Sequence, residues 1–317
     1  MMPKRFDHFM EEALYGPKGY YSGQGKIFGT GGDFSTSPTL SASFGRAVAG
    51  WITKAWDRTG SRLPVIELGA GDGSLARAVR DAIPFWQRPF LTYDVVEKSK
   101  TLQARQETAL KKKGNRQRWH NSLAEALNFH GGEALIISNE VIDAFPARIF
   151  RKTGEAWEEL WLKNGHELWQ PADQLPKSTQ WDHNWPEGQR IEIHEAAHQF
   201  LNQELSAMKQ GEILTIDYGG SAGKIYHRRP RGTLRAYFLH NLVEPPQAYQ
   251  NPGKQDLTCD VCFDDLIAWG KQIGLETVTL QSQKDFLKPF ARETLADIYL
   301  SHQDGPGEAF QVLCQRK

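Results

Sequence analysis

Residues 63–83, LPVIELGAGDGSLARAVRDAI, leave the chain few ways to fold. The apolar run Val65–Leu68 carries one acid, Glu67, and is followed by the alternating glycines Gly69, Gly71 and Gly73. Leu75, Ala78, Val79, Ala82 and Ile83 then share one helical face before Pro84. The pattern predicts a strand, a glycine turn and a helix. Glycines let the backbone approach a ligand closely, and the free N–H groups at a helix start favour a polar or anionic group.

The charge around this turn narrows the ligand. Gly71-Asp72-Gly73-Ser74-Leu75-Ala76 satisfies the loose G-x-G-x-x-G/A dinucleotide pattern, so a nicotinamide or flavin cofactor comes into view. Glu67 and Asp72 would repel a pyrophosphate, however, by roughly 1 to 4 kcal/mol per charge pair at about 4 Å. A cationic ligand suits the loop better. S-adenosyl-L-methionine carries a sulfonium and an ammonium, so Glu67, Gly69, Gly71 and Gly73 read as its binding loop. Further on, 91–97 predicts a second strand ending in Glu97, an acid placed to accept hydrogen bonds from both ribose hydroxyls of either cofactor. A turn that merely packs helix on strand is the structural alternative.

Composition excludes several partner classes. Lys plus Arg equals Asp plus Glu at 38 each, so no global field draws the 317-residue chain to nucleic acid or to a membrane surface. The first residues, MMPKRFDHFMEEAL, lack the apolar core of a signal peptide, and no window approaches the ~18 apolar residues of a membrane span, so a cytoplasmic protein is expected. Three cysteines argue for free thiols in a reducing compartment. Cys259 and Cys262 form one C-x-x-C without a second pair, within what reads as a helical pattern, so no metal site is expected.

In chain order, 5–14 predicts a short amphipathic helix and 41–56 a second one. Between them Gly32, Asp33, Ser35, Thr36 and Ser37 form a hydroxyl-rich loop that either meets the amino-acid end of a cofactor or caps the following helix. Residues 98–132 read as a helix whose basic side chains, Arg105, Lys111, Lys112, Lys113, Arg116 and Arg118, form a solvated face. Residues 133–141 read as a buried parallel strand ending in Asn139 and Glu140, with Asp143 just beyond. Because ligands gather at the carboxyl ends of such strands, these side chains are candidates for the same crevice.

From 146 to 190 the alternation gives way to short strands with Trp157, Trp161, Trp169, Trp181 and Trp185, either a recognition wall or a small core, and Asn164-Gly165 signals a hairpin turn. Helix 195–209 and strand 211–219, ending in Asp217, restore the pattern. Residues 221–253 read as a long irregular lid or substrate loop, and strands 276–281 and 309–314 flank a helix over 285–301.

The ordered set FMEEALYGPKGYY, GGDFSTSP, IELGAGDG and SNEVIDAFP, with Ile216-Asp217-Tyr218-Gly219, Gly232-Thr233-Leu234-Arg235-Ala236-Tyr237 and Asp256-Leu257-Thr258 further on, resembles the MidA family. Ala70 and Asp72 replace that family's usual Pro and Arg, and Cys259, Asp260, Val261 and Cys262 replace its Ala-His-Val-Asp. The resemblance implies a class I S-adenosylmethionine-dependent methyltransferase: α/β, Rossmann-like, with a mostly parallel seven-stranded sheet. It would have a lead-in over 1–60, a core over 61–145 and 195–317, and a β-rich insertion over 146–194. It also implies that Asn139, Glu140, Asp143, Ala144 and Pro146 lie at the active site. The mitochondrial branch of that family serves respiratory complex I assembly through arginine methylation, which implies a protein acceptor, a respiratory-complex subunit among the candidates. Glu140 and Asp143 are then the expected catalytic pair, gripping a guanidinium bidentately, or else caps for the turn after the strand. A small-molecule methyltransferase, an assembly factor that binds the cofactor without essential catalysis, and a nicotinamide oxidoreductase are the competing readings.

Overall fold

The computed structural model describes residues 2–22, 41–110, 117–238, 241–292, 294–300, 302 and 305–317. The loop holding Gly32, Asp33, Ser35, Thr36 and Ser37 lies outside the described residues. Two compact units emerge: 1–27, 142–200 and 218–269 form one, and 28–141, 201–217 and 270–317 the other.

The second unit is built on an α/β sheet. Its strands are β1 (Val65–Leu68), β2 (Tyr93–Val96), β3 (Gln117–His120), β4 (Glu133–Asn139), β5 (Gln210–Gly220), β6 (Glu276–Ser282) and β7 (Phe310–Arg316). They lie in the order β6-β7-β5-β4-β1-β2-β3. Neighbours from β5 to β3 are parallel, with Leu214, Ile137, Glu67, Val95 and Trp119 in one row. The sheet is therefore mixed: β6 and β7 pair antiparallel, and Gly211 and Lys317 exchange backbone hydrogen bonds of 3.3 and 3.1 Å. Burial explains the run of apolar residues in the central strands: Val65, Ile66, Ile136 and Ile137 are fully buried, as expected of strands covered on both faces.

The helix Ala42–Thr59 begins at a Ser41 cap whose Oγ accepts from Ser43 N at 3.0 Å, and it ends at Gly60 in the left-handed conformation. It packs without clearance on the helix that follows the glycine turn, since a Cβ on Gly45 would stand 2.6 Å from Ala78 Cβ. The buried acid Glu212 accepts from Arg58 (2.5 Å), Arg316 (2.8 Å) and the Trp51 indole (3.1 Å), fixing β5 to β7 and to this helix. No helix among the described residues is long and apolar enough to cross a membrane.

The first unit is β-rich. Lys4–Arg5, Arg148–Thr153, Ala156–Lys163, His166–Pro171 and Arg190–Ile193 form an antiparallel sheet centred on Ala156–Lys163. Asn164 and Gly165 both take positive φ in its hairpin, as the Asn-Gly signal predicts. Trp157, Trp181 and Trp185 pack on Phe150, Ile191, Ile193 and Tyr226, so these three tryptophans are core. Two guanidinium groups pack on Trp169, Arg151 at 4.4 Å and Arg190 at 4.8 Å from its ring centroid.

Four sequence expectations fail. Residues 98–132 are not one helix: Lys100–Leu110 and Leu123–Phe129 are separate helices on either side of β3. That strand, QRWH, is a polar edge strand with no apolar run to betray it. Within 221–253 lie the helix Ala222–Ile225 and the strands Arg235–Phe238 and Asn241–Val243, the first pairing with Asp256–Thr258. Cys262 ends a two-residue strand ahead of the helix Phe263–Gln272. Residues 285–301 break into Gln283–Leu287 and Leu295–Leu300, with Pro289 between them.

Gly45→Val should cost about 1–3 kcal/mol, because overpacking must push apart the two helices that meet at Ala78. Urea unfolding monitored by tryptophan fluorescence measures it, and an unchanged midpoint would mean that the helices can part freely.

Candidate functional site

In the second unit the glycine turn is set by backbone geometry. Gly69, Gly71 and Gly73 adopt φ of 58°, 53° and 78°, a left-handed series that side chains resist. Gly73 N donates to Ala70 O at 2.7 Å, closing the turn. Asp72 accepts at 2.9 Å from the backbone N–H of Ser74, the first residue of the helix Ser74–Ala82, whose N-cap is the left-handed Gly73.

Glu67 is buried and accepts from the Tyr93 hydroxyl at 2.8 Å. Burial pushes its carboxyl up to about 8, with the Asp72 and Glu97 carboxylates adding to the effect and Tyr93 opposing it. At neutral pH it is mostly protonated, which leaves less negative charge at the turn than the sequence suggests. Glu97, one residue past β2, accepts from Ser99 N at 2.8 Å; burial again raises its pKa. The Gln106 amide binds this corner together, donating to Gly71 O (3.0 Å) and Glu97 (3.2 Å) and accepting from the Trp119 indole (2.9 Å).

At the end of β4, Asn139 donates to Glu140 Oε1 at 3.3 Å, while Asn139 Oδ1 is buried with no hydrogen-bond partner among the described residues. An unsatisfied buried acceptor at a strand's carboxyl end fits a ligand that brings a donor. Glu140 adopts φ 52°, a left-handed conformation for a non-glycine residue. It costs about 1–2 kcal/mol and is typical of sites where geometry outranks stability. Val141 N donates to the buried Asp217 at 3.3 Å.

The first unit holds a separate group of buried acids. Asp143, in the turn Ile142–Ala144, accepts from Thr258 Oγ1 at 2.8 Å, and Asp256 accepts from the Tyr21 hydroxyl at 3.0 Å. Alternation along Asp256–Thr258 puts Asp256 and Thr258 on one face. Burial pushes Asp143 up to about 6 and Asp256 to about 8, and the Asp143 charge adds to the shift of Asp256. Asp260 pairs with Arg235 at 2.5 Å and Arg229 at 2.6 Å, which raises the Arg235 pKa although burial alone would lower it. His194 is driven down to about 4 by burial.

The structure thus brings Glu67, Gly69, Gly71, Gly73, Glu97, Asn139 and Glu140 into one unit, and Asp143 into the other with Asp256. Sequence reading missed Gln106 and Tyr93. Gln106 looks like one more polar residue in a polar helix, yet it is fully buried against Gly71, Glu97 and Trp119. Tyr21 and Asp256 are far apart in sequence and gave no spacing signal.

Residues 47–281 match the model of a family described as "Putative S-adenosyl-L-methionine-dependent methyltransferase". The chain belongs to this family. A Burkholderia thailandensis protein solved with S-adenosyl-homocysteine bound superimposes with a TM-score of 0.87 and 29% identity, covering 99% of this chain and 88% of that one. The mouse mitochondrial protein named protein arginine methyltransferase NDUFAF7 is 28% identical over 96% of this chain and 74% of its own length. The Caenorhabditis elegans homolog of that name is 27% identical over 79% of this chain, which spans only 63% of the worm protein. The MidA-type motifs therefore carried the family correctly, and the fold is that of class I S-adenosylmethionine-dependent methyltransferases. S-adenosyl-L-methionine is the cofactor of this family, and the left-handed turn, Glu97 and the buried Asn139 oxygen fit it.

Gln106→Leu strands a carbonyl, a carboxylate and an indole N–H, at about 1–3 kcal/mol for each unsatisfied group. Calorimetry with S-adenosylhomocysteine should show binding weakened about ten-fold or more; unchanged affinity would separate Gln106 from the turn's geometry. Asp256 supplies a second expectation. Burial lifts its carboxyl from the ordinary 3.8 to about 8, so the stability it contributes is full below about 4 and is lost as pH rises to about 8. Asp256→Asn should therefore gain on the parent between pH 5 and pH 8 by at least about 1 kcal/mol. Thermal melts at the two pH values check this, and parallel curves would refute it.

Proposed function

We propose that this methyltransferase transfers the methyl group of S-adenosylmethionine to a protein, with an arginine side chain as acceptor, and that Glu140 and Asp143 are its catalytic carboxylates. Relatives named protein arginine methyltransferase, matching over most of the chain, support the acceptor class. The observation that carries the reading is the buried carboxyl of Asp143, held by Thr258 on the strand that also carries Asp256, because at about 6 it is ionised at neutral pH and suited to a cationic acceptor.

The chemistry has a definite proton requirement. A guanidinium is always charged and has no free lone pair in its protonated form. As the acceptor nitrogen attacks the methyl carbon, the C–S bond breaks, sulfur keeps the bonding pair as a neutral thioether, and one N–H proton must leave. A carboxylate hydrogen-bonded to the guanidinium holds the nitrogen in line and takes that proton. Asp143, at about 6, is ionised at neutral pH and able to do so. Gln106, Glu97 and the glycine turn would hold S-adenosylmethionine, which would supply the activated methyl group.

A respiratory-complex subunit is the acceptor that family resemblance favours, and a cytoplasmic location completes the reading, although the mouse and worm relatives are mitochondrial proteins.

Incubation with methyl-labelled S-adenosylmethionine and arginine-containing peptides, followed by acid hydrolysis, should release labelled methylarginine. Label confined to small molecules would favour the small-molecule reading, and none at all the non-catalytic one. Asp143→Asn and Glu140→Gln should each lower kcat by about 10²–10⁴ with S-adenosylhomocysteine affinity retained. The parent's rate should rise with pH through about 6 as Asp143 ionises, and this limb should vanish in Asp143→Asn.

A further inference from the structure

Asp94, His120 and His130 form a compact cluster on the pleat face of β2 opposite the Tyr93–Glu67 pair. Alternation separates them: Tyr93 and Asp94 are adjacent in the strand and point to opposite faces. Asp94 is fully buried, His120 is 5% exposed, and His130 sits at the end of the helix Leu123–Phe129. Both ring Nε2 atoms converge on one oxygen, Asp94 Oδ2, at 3.0 Å from His120 and 2.7 Å from His130. The three ligand atoms lie within 4.8 Å of one another.

We propose that Asp94, His120 and His130 bind a divalent transition metal of the zinc class, which pins the polar edge strand β3 to β2 and to the end of the helix Leu123–Phe129. Two imidazoles and one carboxylate are a donor set of that chemistry. Tetrahedral bonds of about 2.0–2.1 Å place neighbouring donors roughly 3.3 Å apart, so opening the cluster by a few tenths of an ångström admits an ion.

The surrounding groups favour this arrangement. Glu125 Oε1 faces His120 Nδ1 at 3.7 Å. A neutral imidazole that donates to Asp94 through Nε2 would turn its Nδ1 lone pair toward that carboxylate. With the ion on Nε2, Nδ1 carries the hydrogen and faces Glu125 favourably, the outer partner typical of a metal-bound histidine. Asp94 Oδ1 has no hydrogen-bond partner among the described residues; the Arg118 guanidinium, stacked over Phe129 at 4.6 Å, lies 3.8 Å away and balances its charge. Oδ2 is thus left to the ion. Edge strand β3 pairs on one side only and has one buried residue, His120 itself, so apolar packing does little to hold it.

The full chain, stripped with a chelator, is titrated with zinc(II) and with cobalt(II). One equivalent of zinc should bind and raise the melting temperature, and cobalt should give the visible d–d bands of a four-coordinate histidine site. Outer partners are worth 10- to 100-fold in affinity, so the direct ligands should be worth at least about 100-fold in Asp94→Asn and His130→Gln, and Glu125→Gln about ten-fold. S-adenosylhomocysteine binding reports whether each variant is folded. If Asp94→Asn and His130→Gln lose their fold, the surface variant Glu125→Gln carries the test. Folded parent protein that binds zinc no better than these variants, or not at all, overturns the proposal and leaves a hydrogen-bonded carboxylate–histidine staple.

Discussion

One buried amide holds the cofactor end of the sheet together. Gln106 reaches the carbonyl of Gly71, the carboxylate of Glu97 and the indole of Trp119, so the turn after β1, the acid after β2 and the edge strand β3 share one side chain. The left-handed glycines cannot hold themselves: residues with such conformational freedom adopt one shape only when something outside the turn fixes it. The adjacent helix leaves no slack either, since Gly45 and Ala78 are already in contact. The geometry of the turn is therefore an outcome of packing several elements away.

How far the sequence reveals this depends on whether the signal is local. The βα unit at 63–83, the apolar strand β4 and the Asn164-Gly165 hairpin were legible because periodicity and turn chemistry act within a few residues. Asn139 and Glu140 were legible as site candidates because a parallel strand announces its carboxyl end. Strand β3 was not, because an edge strand can be polar: it owes its place to hydrogen bonds with β2 rather than to burial of its own side chains. The cluster at Asp94 followed it out of sight, since His120 has no reason to meet Asp94 until that strand exists. Tyr21 and Asp256, more than two hundred residues apart, belong to the same class of information.

The two units handle acidic groups differently. In the sheet unit, the buried Glu212 is paired with two guanidinium groups and an indole. In the other unit, Asp143 and Asp256 are met by hydroxyls, and the nearby guanidinium of Arg235 is taken up by Asp260. A buried carboxylate in a close ion pair is held in its charged form, whereas burial raises the proton affinity of one held mainly by hydroxyl and backbone donors.

Glu140 shows what such specialisation means for selection. Its backbone lies where glycine would be more comfortable, and exchange for glycine would relieve strain while deleting the carboxylate. A library screened for heat resistance alone would be drawn toward that exchange, and the survivors would be sturdier proteins without this acid. Under the catalytic role proposed for Glu140, robustness and activity pull in opposite directions at this codon, and only a screen that reads turnover would keep it.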